Sequence, residues 1–132
     1  GNYGQLLKAM GDLDGAKPLY LEAMEVKREV LGKRHPETLI SIGNYGRLLQ
    51  AMGDLDGAKP LYLEAMEVKR EVLGKRHPST LTTIYNYADL LLNMGDREEA
   101  ARVLGDAPQV AREVLGEQHQ ITRALQGLAG RL

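Results

Sequence analysis

The sequence contains no cysteine, no phenylalanine and no tryptophan, and its only aromatic residues are six tyrosines. The absence of cysteine excludes a disulfide framework, a thiol nucleophile and Cys-ligated zinc, and it suits a reducing compartment, with a cytoplasmic location as the default expectation. A net charge of −1 gives no pull toward a polyanion. No apolar run approaches the roughly 20 residues that a membrane helix needs, and Gly1 opens neither a charged nor an apolar leader segment. What remains is a chain of 132 residues, 43% apolar and 27% charged, which is one globular domain's worth of sequence rather than a disordered one.

The chain repeats itself with a period of 42: residues 1–42 and 43–84 differ only at Gln5/Arg47, Lys8/Gln50, Glu37/Ser79, Ile40/Thr82 and Ser41/Thr83. A third, diverged copy keeps the register without a gap. Asn86, Leu91, Met94, Gly95, Asp96 and Ala100 match Asn44, Leu49, Met52, Gly53, Asp54 and Ala58, and Arg112 to Gly116 matches Arg70 to Gly74. Residues 117–132 open a fourth copy with His119 and Thr122 in place, but Arg123 replaces Leu81 and Gln126 replaces Ile84, so a stacking face has become polar.

Within a unit the apolar period is helical. Leu39, Ile42, Gly46, Leu49 and Met52 recur at three- and four-residue steps, which defines a helix A. After Gly53-Asp54, a second ladder of Ala58, Leu61/Tyr62, Ala65, Val68 and Val72 defines a helix B, with Glu64, Glu67 and Arg70 off the stripe. Gly53 suits a left-handed residue past a helix end, Asp54 or Asp56 an N-cap, Gly74 a second stop, and Pro78 a first helical position. Pro18 and Pro60 lie early in helix B, where a proline forfeits a backbone hydrogen bond, so a late or bent start near Lys59 is expected. Pro108, beside Gly105, predicts a kink or break over 105–108 in the third helix B.

The residues that punctuate and pack each unit resemble the tetratricopeptide repeat (TPR) family: small Gly46 and large Leu49 in helix A, the Gly53-Asp54 turn, and Ala58, Tyr62 and Ala65 in helix B. The first unit carries Gly4, Leu7, Gly11-Asp12, Ala16, Tyr20 and Ala23 at the same places. Helix B runs about two turns longer than in the usual 34-residue unit, and Leu-Gly-x-x-His-Pro closes it, which is similar to the 42-residue TPRs of kinesin light chains. The sequence departs from that pattern at Ala88 and Leu104, and at Tyr3, Tyr45 and Tyr87, one place before the small residue. The resemblance implies an all-α, right-handed solenoid of antiparallel helix pairs with about seven helices. It spans residues 1–132 as units 1–42, 43–84 and 85–116, with a closing helix over 117–132.

In such a solenoid the candidate site is the concave face lined by each helix A. The positions beside the packing ladder are Asn2, Gln5, Lys8 and Ala9 in the first unit. In the second they are Ile40, Gly43, Asn44, Arg47, Gln50 and Ala51, and in the third Thr82, Tyr85, Asn86, Asp89 and Asn93. Asn2, Asn44 and Asn86 form a ladder of amides, each able to donate and accept at once, as an extended peptide backbone requires. In the TPR family the asparagine at this position often holds a peptide in that way; a role internal to the groove is the alternative. Three of the five differences between the first two units fall on this face. With Lys8 and Arg47 toward the first units and Asp89 in the third, the groove is expected to be basic at one end and to take an acidic peptide segment; the resemblance to kinesin light chains, whose TPRs bind tryptophan-containing acidic cargo peptides, implies the same.

Competing functions find little support. His35, His77 and His119 recur one per unit, too far apart for a metal whose ligands converge within about 2 Å, and are expected to serve the His-Pro turn. Glu22, Glu25 and Glu29 interleave with Lys27 and Arg28 as a solvated face. Lys33-Arg34 and Lys75-Arg76 are offset by glutamates and lack interleaved aromatics, so neither nucleic acid nor membrane is an expected partner, and no cofactor or acid/base/nucleophile set is evident. Tyr20 and Tyr62 sit at packing positions. Gly1 aligns with Gly43, inside a helix A, which suggests a fragment of a longer array whose N-terminal end is uncapped and able to self-associate. The reading is therefore a non-catalytic interaction module that binds a protein or peptide, with a self-association scaffold as the alternative.

Overall fold

A two-residue turn, Gly-Asp, organises the chain locally. In a computed structural model, which describes residues 12–132, Gly53 takes φ +83°. Its N–H bonds the Gln50 carbonyl at 3.0 Å, while Asp54 N–H reaches back to Leu49 at 2.8 Å. This is the Schellman pattern, which satisfies carbonyls that a helix end would orphan. The same Asp54 then starts the next helix, its carboxylate accepting from Gly57 N–H at 2.9 Å. One residue thus closes a helix with its amide and opens another with its side chain. Gly95-Asp96 repeats the arrangement, with 2.9 Å from Asp96 N–H to Leu91.

The other connection is capped by histidine. His35, His77 and His119 sit in extended conformation before a helix, and each Nδ1 accepts the N–H two residues on, at 3.1, 3.0 and 3.1 Å. Pro36 and Pro78 follow at the start of the helix, where a missing N–H costs nothing. The expected turn role of the histidines is met in full, as N-caps.

These signals yield seven helices among the described residues: α1 (Leu13–Leu31), α2 (Pro36–Ala51), α3 (Leu55–Val72), α4 (Pro78–Asn93), α5 (Arg97–Leu104), α6 (Ala107–Leu115) and α7 (Gln120–Gly130). No strand occurs among them. The chain divides into two compact units, 1–65 and 66–132. In the first, α1 packs on α2; in the second, α4 packs on α5, α6 and α7, and α6 on α7.

The core follows the helical stripes. Leu39, Ile42, Leu48 and Leu49 of α2 are buried, and so are their counterparts Leu81, Ile84, Leu90 and Leu91 of α4. Tyr45 and Tyr87, shifted by one place from the usual aromatic position, are buried too. A Cβ added at Gly46 would stand 3.5 Å from Leu61 and 3.6 Å from Tyr62, so the position admits Ala, as Ala88 shows one unit later, and little more. In α7, Thr122, Leu125 and Leu128 are buried while Arg123 and Gln126 are exposed.

Three expectations are resolved locally. The break in the third helix B is present: α5 stops at Leu104, Gly105 turns with φ +46°, and α6 restarts at Ala107 with Pro108 in its first turn. Of the late or bent start expected near Lys59, the late start is overturned. Helix α3 begins at Leu55 and carries Pro60 inside, as α1 carries Pro18. The Asp cap nucleates the turn ahead of the proline, and only one intrahelical bond is forgone, a loss that tertiary packing of the buried Ala58 and Tyr62 offsets. Val72, placed in the packing ladder by its spacing, is 44% exposed, and its counterpart Val30 is 73% exposed. Both stand in the last turn of their helices, α3 and α1.

Candidate functional site

The face of helix A that turns away from the core carries the residues singled out by the sequence. On α2, Asn44 and Gln50 are half-buried and Arg47 is exposed; they follow one another at three-residue steps beside the buried Tyr45, Leu48 and Leu49. On α4, Tyr85, Asn86 and Asp89 are half-buried and Asn93 is exposed, again flanked by buried Tyr87, Leu90 and Leu91. Ile40, Ala51 and Thr82 are exposed as well. The α2 set belongs to the first compact unit and the α4 set to the second. Asn2, Gln5 and Lys8, together with Ala9, lie outside the described residues.

Two of these side chains engage each other. An Arg47 guanidinium N–H donates to the Asn44 side-chain carbonyl, a one-turn contact that leaves the Asn44 amide N–H groups and the rest of the guanidinium facing outward. Gln50 is held from the neighbouring helix: the Tyr62 hydroxyl donates to its Oε1 at 2.9 Å. Tyr62 was expected only in the core, and it is 4% exposed, yet its hydroxyl fixes a polar side chain on the candidate face. A buried tyrosine ordinarily seeks a partner for its O–H, so this bond was legible once Gln50 stood across from it. Asp89 receives a long contact from Arg131 at 3.5 Å, past the end of α7 and 42 residues on, a partner that no local pattern announces. Thr82 bonds back to the Pro78 carbonyl at 3.0 Å and is spent within its own helix.

Asn86 differs from the others. It is half-buried in mid-helix, at the place where asparagine costs propensity, and its amide makes no hydrogen bond among the described residues. The next residue, Tyr87, has its phenol pushed above the ordinary value of 10.0, first by burial and then by the charges of Glu99, Glu67 and Asp96. The phenol is neutral at physiological pH and serves packing. Among the described residues no group of three or more His, Cys, Asp or Glu side chains converges to hold a metal ion. No helix among them is long and apolar enough to cross a membrane.

The helix pairs, the small residue at Gly46 and the Gly-Asp turn meet their match in a family model described as tetratricopeptide repeat, which covers residues 1–67 and 42–107. The chain belongs to the tetratricopeptide repeat family. Solved structures agree on the fold of this TPR chain. Two crystal structures described as a kinesin light chain of Podosopora anserina with nearly identical TPR-like repeats superpose with TM-scores of 0.89 and 0.87 at 22% identity. They cover 98% of this chain and 61% and 62% of theirs. BtubC (BKLC) from P. vanneervenii follows with a TM-score of 0.78 at 17% identity, over 97% of this chain and 54% of that one. The TPR chain thus spans less than two thirds of the length of each. No protein of curated function matches it in sequence. TPR helix pairs form a fold used generally for protein–protein interaction and typically without catalysis.

Proposed function

We propose that the helix A faces bind an extended, acidic segment of a partner protein, without catalysis and in the cytoplasm. The observation that carries this reading is Asn86: a half-buried amide, placed mid-helix against its propensity, with both hydrogen-bonding functions unspent. Asn44 stands at the same place one repeat earlier and keeps its N–H groups free. Such amides pair with a peptide backbone, and Arg47 beside Asn44 supplies a cation for a carboxylate. Tyr85, Asp89 and Asn93 set which side chains fit beside Asn86, and Asn2, Gln5 and Lys8 hold the matching sequence positions of the first repeat.

The test is peptide binding followed by sedimentation velocity or anisotropy, with an acidic extended peptide and its amidated, neutral counterpart. Asn86→Ala and Arg47→Ala are expected to weaken the acidic peptide several-fold while circular dichroism stays unchanged. Equal binding by wild type and both variants removes the reading. A second reading, self-association, draws on the near-identity of the first two repeats and on Val26 and Val30, which are 48% and 73% exposed on α1. It is favoured instead if the chain grows in size with concentration and Val30→Lys abolishes that growth.

A further inference from the structure

The break in the third helix B opens a cavity of about 400 Å³ in the second compact unit. Its floor is apolar and buried, made by Leu81, Ile84, Val103 and Val110, and its rim carries the cations Arg70, Lys75 and Arg102 together with one carboxylate, Asp106. The space has a cause in the sequence. Relative to the second repeat, the third puts Val103 for Leu61, Leu104 for Tyr62, Gly105 for Leu63 and Pro108 for Met66, each a loss of side-chain volume at one stretch of helix.

The same change strips a cation of its partner. In the first compact unit, Arg28 forms an ion pair with Glu64, the two residues being 36 apart. One repeat later the equivalent residues are Arg70 and Asp106. Asp106 is shorter by a methylene and sits at the break, and its carboxylate lies 3.4 Å from Lys75 instead. Arg102 is taken by Glu99 at 2.6 Å. Arg70 alone among the lining cations is left with no carboxylate among the described residues. The fold therefore shows what this guanidinium position accepts, because the preceding repeat fills it with a glutamate.

We propose that this cavity is a second binding point, separate from the helix A face, for a glutamate or aspartate carried beside a bulky apolar side chain on an extended segment of a partner protein. The carboxylate takes the place at Arg70 that Glu64 takes at Arg28, and the apolar neighbour fills the floor left empty by the smaller side chains. Charge and volume are complementary together: the rim has one unmatched positive charge and the floor no polar side chain. A guanidinium at the edge of an apolar floor favours carboxylate recognition, since its planar fork of N–H donors makes charge-assisted, bidentate bonds with a carboxylate. A peptide source is favoured over a small acid because the fold is one that recognises proteins.

The test uses the whole chain, labelled with ¹⁵N, titrated with acetyl-Glu-Leu-amide, with acetyl-Gln-Leu-amide and with 4-phenylbutyrate. The expected result is a saturable shift of the Ile84, Gly105 and Ala107 amides with the glutamate dipeptide, weaker by about tenfold in Arg70→Gln and with the neutral dipeptide. Leu104→Tyr, which restores the second-repeat residue, is expected to close the floor and weaken it likewise. Arg70 is exposed and unpaired, so Arg70→Gln keeps the fold, and the test stands even if Leu104→Tyr does not. Shifts confined to α2 and α4 around Asn44 and Asn86, equal binding of both dipeptides, no saturation, or no effect of Arg70→Gln each overturns the proposal. Tighter binding of 4-phenylbutyrate than of the dipeptide at the same amides overturns the protein source and makes the cavity a small-acid site.

Discussion

Thr38, Thr80 and Thr122 are the same residue in three successive repeats, all fully buried at 0% exposure, yet they are not equally satisfied. The Thr38 hydroxyl donates to the Lys27 carbonyl at 3.2 Å, and Thr80 reaches the Lys69 carbonyl at a long 3.4 Å. Thr122 Oγ1 has no partner at all. Replacing each by the isosteric valine therefore removes a different quantity. At Thr122 it removes an unmet desolvation cost of about 1–3 kcal/mol and adds a buried methyl worth roughly 0.8 kcal/mol. Thr122→Val is expected to stabilise the chain by about 2–4 kcal/mol. At Thr38 the loss of a bond worth about 0.5–1.5 kcal/mol cancels the methyl gain, so the change is near zero or unfavourable. Thr80→Val falls between. All three are β-branched swaps in the first turn of a helix, which keeps propensity out of the comparison. The assay is urea unfolding, read as a shift of midpoint at constant slope, so that a change in cooperativity is not mistaken for stability. If Thr122→Val is as destabilising as Thr38→Val, the hydroxyl is satisfied in solution and the reasoning fails.

Two further outcomes follow from the geometry. His77→Ala removes the acceptor for Ser79 N–H and is expected to cost about 0.5–2 kcal/mol, whereas His77→Asp keeps a capping acceptor and recovers most of it; equal loss in both variants by urea titration would show that the ring, not the cap, matters. Tyr87 has a folded-state value above 10.0, so its neutral form is the one the fold favours. Its contribution is intact below that pH and is lost as the pH climbs through the raised value, because the unfolded chain ionises first. Tyr87→Phe is expected to flatten the fall of stability above pH 10, and an unchanged alkaline slope in that variant would refute the burial argument.

Much of this protein was legible in a single line of sequence. The 42-residue period, the helical stripes, the Gly-Asp turns, the histidine turns and the break at Gly105–Pro108 are local, and local chemistry decided them. On α2 and α4 the residues of the candidate face are half-buried or exposed beside a buried stripe, because a 3.6-residue period assigns every residue to a side of its helix once the buried side is known. Pro18 and Pro60 were misjudged as late starts because a proline penalty is also local, and packing contributed by another helix outweighed it.

What only the tertiary structure decided is which side chain meets which across the helices. The period put Arg28 on a solvated face and left Glu64 and Arg70 off the stripe; packing joined Arg28 to Glu64 and left Arg70 alone. It gave Gln50 to Tyr62, Asp89 to Arg131 and nothing to Thr122. The reason is physical: a helix fixes the direction of a side chain but not what stands opposite it, and partners 12 to 42 residues away are set by how one helix seats on the next.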